Sequence, residues 1–209
     1  MNSLGFDKSE KDTKVVVAMS GGVDSSVAAV MLKNQGYDVT GITLKLYNNS
    51  NVSKNKSCCA GIDINDAKDV AHKNNFKHIV LDYQDKFFDG VINNFVDSYS
   101  NGETPLPCIK CNETVKFTDL LNEAKKIGAD ALATGHYAIR KGSSTNASLH
   151  KAKDYSKDQS FFLFATLQEQ LNYVRFPLGD YKKSEIRQLA KEYNLSVSDK
   201  PDSQDICFV

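Results

Sequence analysis

The chain carries five cysteines among 209 residues, and two of them, Cys108 and Cys111, stand two residues apart behind a pair of prolines in "TPLPCIKCN" (104–112). Zinc ribbons, iron–sulfur proteins and disulfide-exchanging enzymes all use that spacing, so alone it leaves metal ligation, redox pairing and nucleophilic catalysis open. A second chemical stretch is "SGGVDSS" (20–26), between a β-branched run and an apolar helical pattern. There its backbone N–H groups and hydroxyls would sit at a helix N-terminus, an anion site by geometry and dipole. Gly21 and Gly22 let the backbone come close to a phosphate, and Ser20, Ser25 and Ser26 add donors. No Lys follows the glycines as in G-x-x-x-x-G-K-[ST], and G-x-G-x-x-G is missing, which excludes those two nucleotide loops. The plainer role for the stretch is a Gly-Gly turn capped by Asp24.

The elements that must hold these residues alternate. "KVVVAM" (14–19), "DVTGITLKL" (38–46), "HIVLDY" (78–83) and "DALATGHY" (130–137) read as strands; "VDSSVAAVMLKNQG" (23–36), "DINDAKDVAHKNN" (63–75), "KFFDGVINNFVDSYSNG" (86–102) and "TVKFTDLLNEAKKIG" (114–128) read as helices. The pattern predicts an α/β fold with a doubly wound parallel sheet. Ligands of such sheets bind outside the carboxyl ends of the strands, where the loop at 20–25, the residues after Leu44 and the turn at Gly135 would meet. From about residue 140 the character changes: a loop or short hairpin, an aromatic-rich stretch, an amphipathic helix "KSEIRQLAKEYNL" (183–195) and a turn-rich tail through Cys207. This divides the chain into a core, 1–140, and a small helical extension, 141–209.

Composition narrows the setting. Twenty-six basic and 26 acidic residues leave no net charge, so binding a polyanion would need a local basic face. No apolar run is long enough to span a membrane, and the polar opening offers no signal peptide. The expectation is a cytoplasmic protein with reduced thiols, in which cysteines are metal-binding, catalytic or buried rather than stapled. Cys58 and Cys59 read as structural or incidental, and His72, His78 and His150 as surface or packing residues. The aromatics Phe161, Phe162 and Phe164 read as core.

In order along the chain, "AMSGGVDSSVAA", "TPLPCIKCN", "VKF", "ATGHYA", "KDQSFFL", "FPLG" and "DKPDSQDICF" resemble the bacterial tRNA-specific 2-thiouridylases, from about Val15 to the last residue. That resemblance implies an adenine nucleotide alpha-hydrolase-like fold of the PP-loop ATP pyrophosphatase type. It also implies use of ATP and magnesium, and sulfur delivery to carbon 2 of the wobble uridine in tRNAs for Glu, Gln and Lys, the sulfur coming as a persulfide from a donor protein. By resemblance, Ala18, Met19, Ser20, Gly21, Gly22, Val23, Asp24, Ser25, Leu44 and Gly135 would bind ATP. Leu106, Pro107 and Cys108 would approach the base, and His136, Lys157, Asp158 and Gln159 would contact tRNA. Cys111 matches the nucleophile and Cys207 the persulfide carrier, with a Cys111–Cys207 disulfide as the resolved state.

The chemistry of those roles is coherent. A uracil carbonyl oxygen leaves poorly until AMP is placed on it, and a persulfide carries transferable sulfur. Both thiols would need a lowered pKa, from lysines such as Lys110 or from a helix beginning near Asn112. The sequence departs from the family at Leu106, where Asn is usual, and at Cys108, where some members have Asp. The family's central and C-terminal β-rich domains are expected to be absent from this chain. A metal version stays open: Cys108, Cys111 and Cys207 would leave one iron of a [4Fe-4S] cluster free to hold sulfur. Two other classes remain, a PP-loop enzyme acting on a small molecule and a nucleotide-binding or sulfur-carrier module.

Overall fold

The computed structural model describes residues 1–47, 61–202 and 206–208; Cys58 and Cys59 lie outside them. Five parallel strands form the main sheet: β1 (Lys14–Ala18), β2 (Asp38–Lys45), β3 (Lys77–Asp82), β4 (Ala131–Thr134) and β7 (Val174–Arg175), in the order β3-β2-β1-β4-β7. Strands covered on both faces should be apolar throughout, and "VVV" in β1 and "ALAT" in β4 are buried at every position. Alternate side chains of β1 enter different cores. Val15 and Val17 join the cluster under α1 (Val23–Asn34), α2 (Gly61–Lys73) and α8 (Lys183–Glu192). Val16 joins the cluster of Phe87, Val91, Val115, Phe117 and Leu120 on the opposite face.

That opposite face is built from two broken helices. One runs through α3 (Gln84–Phe87), a π-helical turn Phe88–Ile92 and α4 (Asn93–Ser100). The other runs through α5 (Pro107–Cys111), a π-helical stretch Asn112–Leu120 and α6 (Leu121–Lys126). Pro107 occupies the first turn of α5, where its missing N–H costs nothing. The helix therefore starts five residues before the Asn112 start expected from sequence, and both cysteines ride on it.

Beyond residue 140 the chain forms a hairpin of β5 (Ile139–Gly142) and β6 (Ala147–His150), then α7 (Gln168–Tyr173). It then returns to the sheet: β7 pairs with β4, and α8 packs on α1. Among the described residues no helix is long and apolar enough to cross a membrane.

Candidate active site

In the strand order the chain turns from β1 outward in opposite directions to β2 and β4, so the crevice between the carboxyl ends of β1 and β4 is the place for a ligand. Ser20 to Ser25 fill it. Gly21 holds φ +76°, and a Cβ there would stand 2.1 Å from the Asp63 carbonyl oxygen, so both its conformation and its neighbour demand glycine. Gly22 caps α1 with no side-chain bond, which leaves the first N–H groups of the helix to an incoming anion. The hydroxyls of Ser20 and Ser25 lie 3.3 Å apart, and the Ser20 N–H donates to Ser25 Oγ at 3.1 Å. Gly135, after β4, presses on the same turn: a Cβ there would meet the Ser25 nitrogen at 2.8 Å. Met19 and Leu44 reach this edge with their side chains committed to the core.

Asp24 does not cap the helix. Its carboxylate accepts from the Tyr137 hydroxyl at 2.8 Å and from Lys183 Nζ at 2.7 Å to each oxygen. Lys183 is almost wholly buried and also pairs with Asp202 at 2.9 Å. Asp202 in turn takes Arg187 at 2.8 Å and Lys157 at 3.1 Å; against the opposing effect of burial, Lys183 and Lys157 lower its carboxyl pKa to about 2. Burial, reinforced by Asp24, pushes the Tyr137 phenol far up, so it acts as a donor throughout the ordinary pH range. On the other side Lys200 reaches the Gly21 carbonyl at 3.0 Å, Asp63 at 2.5 Å and Asp66 at 2.7 Å. Sequence reading assigned no role to Lys183, Lys200, Asp202 or Tyr137. Their only signal was position: Lys183 opens the amphipathic helix, and Lys200 and Asp202 lie in "DKPDSQDICF".

Cys108 is exposed, whereas Cys111, one turn on, packs against the apolar cluster beneath the helix. Cys207 packs against that same cluster, its neighbour Phe208 edge-on to Phe87 at 5.7 Å and to Phe95 at 5.2 Å. Two cysteines 96 positions apart in the sequence thus meet one apolar surface. No disulfide joins them: both are free thiols. Nor do the three cysteines assemble as [4Fe-4S] ligands. Among the described residues no three His, Cys, Asp or Glu side chains are grouped for a metal, since Cys108 faces solvent and Cys111 the core.

The expected lowering of the thiol pKa is also overturned for Cys111. Burial raises it, Cys108 adds slightly, and the charge of Lys116 acts in the opposite sense. Lys110 is engaged with Glu113 at 3.2 Å, and the helix N-terminus lies a turn away at Pro107.

His136 stands half-buried at the end of β4, bonded to Thr134 Oγ1 at 2.9 Å between the rings of Phe117 and Phe176. Burial and Lys116 hold it neutral, well below the ordinary histidine pKa. Asp158 binds the Ala152 N–H at 2.8 Å and the Ser160 hydroxyl at 2.7 Å, and Gln159 exchanges two bonds with the Tyr137 backbone. Leu106 is exposed and Pro107 buried. Phe161 and Phe164, expected in the core, are instead 59% and 67% exposed with rings 6.0 Å apart, while Leu163 fills the core position. The short 3-10 turn Ser160–Leu163 can turn only part of "SFFL" inward.

Residues 13–209 match the family model described as the tRNA methyl transferase HUP domain. Over its whole length the chain is 59% identical to a tRNA-specific 2-thiouridylase MnmA of Rhodospirillum centenum and 58% identical to one of a Ruegeria species, strain TM1040. The chain belongs to this 2-thiouridylase family. It spans about half the length of these relatives, 54% and 55%. Among solved structures, it resembles a 4-thiouridine synthetase–RNA complex with bound ATP, with a TM-score of 0.58 at 19% identity over 94% of this chain and 45% of the other. It also resembles an NMN synthetase from Francisella tularensis, with a TM-score of 0.54 at 17% identity over 92% and 66%. Both share the PP-loop, adenine nucleotide alpha-hydrolase-like fold.

Proposed function

We propose that this chain is the catalytic half of an ATP-dependent tRNA-uridine 2-sulfurtransferase. The observation that carries the reading is the packing of Cys111 and Cys207 on one apolar cluster, in a molecule with a glycine-bearing loop at the start of α1 beside the switch point of its sheet. Support also comes from relatives that bear the name tRNA-specific 2-thiouridylase at 56–59% identity.

The roles follow from the geometry. Open N–H groups at the start of α1 and the Ser20 and Ser25 hydroxyls receive the phosphates of ATP. Magnesium bound with the nucleotide supplies charge neutralisation at the phosphates. Asp24, the carboxylate of the loop itself, would hold it alongside phosphate oxygens, whereas Asp202 is committed to Lys183, Arg187 and Lys157. The uridine oxygen on carbon 2 attacks the α-phosphorus and pyrophosphate leaves. Carbon 2, now bearing an adenylate leaving group, is attacked by the terminal sulfur of a persulfide on Cys207, and AMP departs with the oxygen. The Cys111 thiolate then attacks the Cys207 sulfur, leaving sulfur on carbon 2 and a Cys111–Cys207 disulfide that a cellular thiol reduces. Leu106, Pro107 and Cys108 wall the base; His136, Lys157, Asp158 and Gln159 line the approach of the RNA. The RNAs are tRNAs for Glu, Gln and Lys, the sulfur arrives from a persulfide-bearing protein, and the compartment is the reducing cytoplasm.

The test is to incubate the protein with ATP, magnesium, a persulfide donor and tRNA, then analyse nucleosides. Stoichiometric 2-thiouridine with AMP and pyrophosphate is the expected result. ATP binding without 2-thiouridine would leave only a nucleotide-binding or sulfur-carrying module.

A further inference from the structure

An α-helix advances 100° per residue, so residues five apart point about 140° away from one another. A π-helix bonds residue i to i+5 and brings those residues onto one face. The stretch Asn112–Leu120 is of the second kind. Leu121 N–H bonds the Lys116 carbonyl, and the Thr118 hydroxyl reaches the Glu113 carbonyl at 2.8 Å, both five residues back. The burial pattern obeys the same register: Asn112 and Phe117 are both buried, as are Val115 and Leu120. The pair that this register adds on the catalytic side is Cys111 and Lys116.

Other lysines of this helical region are engaged: Lys110 with Glu113, Lys86 with Asp119, Lys126 with Glu123. Among the described residues Lys116 makes no ion pair, yet it is half-buried, and its charge is felt by both Cys111 and His136. Phe117, the next residue, lies 6.1 Å from the His136 ring, which places this part of the helix beside the end of β4. Besides burial, Lys116 lowers the Cys111 pKa and Cys108 raises it; Cys207 packs on the same cluster, and His136 is held neutral by burial.

We propose that Lys116 is a positioning residue for the nucleophile: the π-helical register carries its ammonium to the face of Cys111, where it is the counter-charge for the thiolate. A half-buried cation without an acidic partner is costly unless an anion forms beside it during the reaction. Cys111, pressed against an apolar cluster, needs such a cation, because burial alone would keep it a thiol. This rests on Cys111 acting as a thiolate, and it makes the irregular helix a device for activation rather than a packing defect.

The test reads Cys111 directly, without ATP or tRNA, so it stands or falls apart from the thiolation assay. Iodoacetamide alkylation is followed against pH by mass spectrometry; Lys110 separates Cys108 and Cys111 into different tryptic peptides. In Lys116→Met the alkylation midpoint of Cys111 should rise by about one pH unit, the scale of one nearby charge. Below the midpoint the rate should fall only about threefold, since the more basic thiolate is also more nucleophilic. Lys116→Arg keeps the charge and should keep the wild-type midpoint, with Cys108 unaffected in both. The proposal is overturned if folded Lys116→Met, or Lys116→Gln should the first prove unstable, titrates as wild type. It is equally overturned if Lys116→Arg shifts the midpoint as far as the neutral variants.

Discussion

The phosphate loop and the cysteine helix lie on neighbouring parts of one fold and are built by opposite means. The loop is charged and its backbone local: seven consecutive residues with one glycine, Gly21, of forced geometry, and an ion pair from the distant Lys183 closing on Asp24. The cysteine site is non-local and apolar, Cys111 and Cys207 arriving from distant segments on one hydrophobic cluster. On the proposed function, adenylation would depend on fixed charges and sulfur transfer on burial and register. The two should therefore be separable by mutation.

The sharpest break is at the thiols. Cys111→Ala and Cys207→Ala should each abolish 2-thiouridine formation, by about a thousandfold or more for a nucleophile. ATP affinity, measured by calorimetry, should stay within about twofold; a parallel loss of ATP binding would mean that the two regions are one unit. Next comes Asp24→Ala. It strips Lys183 and Tyr137 of their shared acceptor, and pyrophosphate release should fall about a hundredfold or more, while the alkylation profile of Cys111 holds. A change in that profile would merge the regions again.

Gly135→Ala probes the loop without touching a charge. Its Cβ would press on Ser25 and Asp24, and the overpacking should cost about 1–3 kcal/mol, read as a lower thermal midpoint together with weaker ATP binding. The smallest effect belongs to pH. Asp202 has its pKa depressed from 3.8 to about 2, with Lys183, Lys157 and Arg187 around it. A depressed carboxyl stabilises the fold fully above its unfolded pKa and loses that contribution as pH falls from about 4 towards 2. About 2 kcal/mol should go in that window, and Asp202→Asn should flatten the corresponding part of the denaturation curve.

How far each region could be read from the sequence follows the same division. β1 with its glycine loop, and the strands and helices around it, were visible because periodicity and glycine chemistry are local. The roles of Lys183 and Lys200 were not, since nothing in "KKSEIR" or "SDKPD" says which carboxylate, more than a hundred positions earlier, each will find. The π-helical register of 112–120 was hidden for another reason: its apolar residues fit an α-helix acceptably, and only the five-residue spacing of buried pairs betrays it. Phe161 and Phe164 were misplaced because composition makes phenylalanine a core residue, while a single 3-10 turn has too few inward positions for all of "FFLF". The CxxC pair misled in the direction of metals because its spacing ignores which way each thiol faces.

The hold of Lys200 on the Gly21 carbonyl and on α2 also sets a length. Cys207 lies seven positions after Lys200, and a fully stretched chain covers at most about 3.5 Å per residue. Even drawn taut, that leash keeps Cys207 within about 25 Å of Lys200, so on the proposed function a sulfur donor would load it near the phosphate loop rather than at a distant surface.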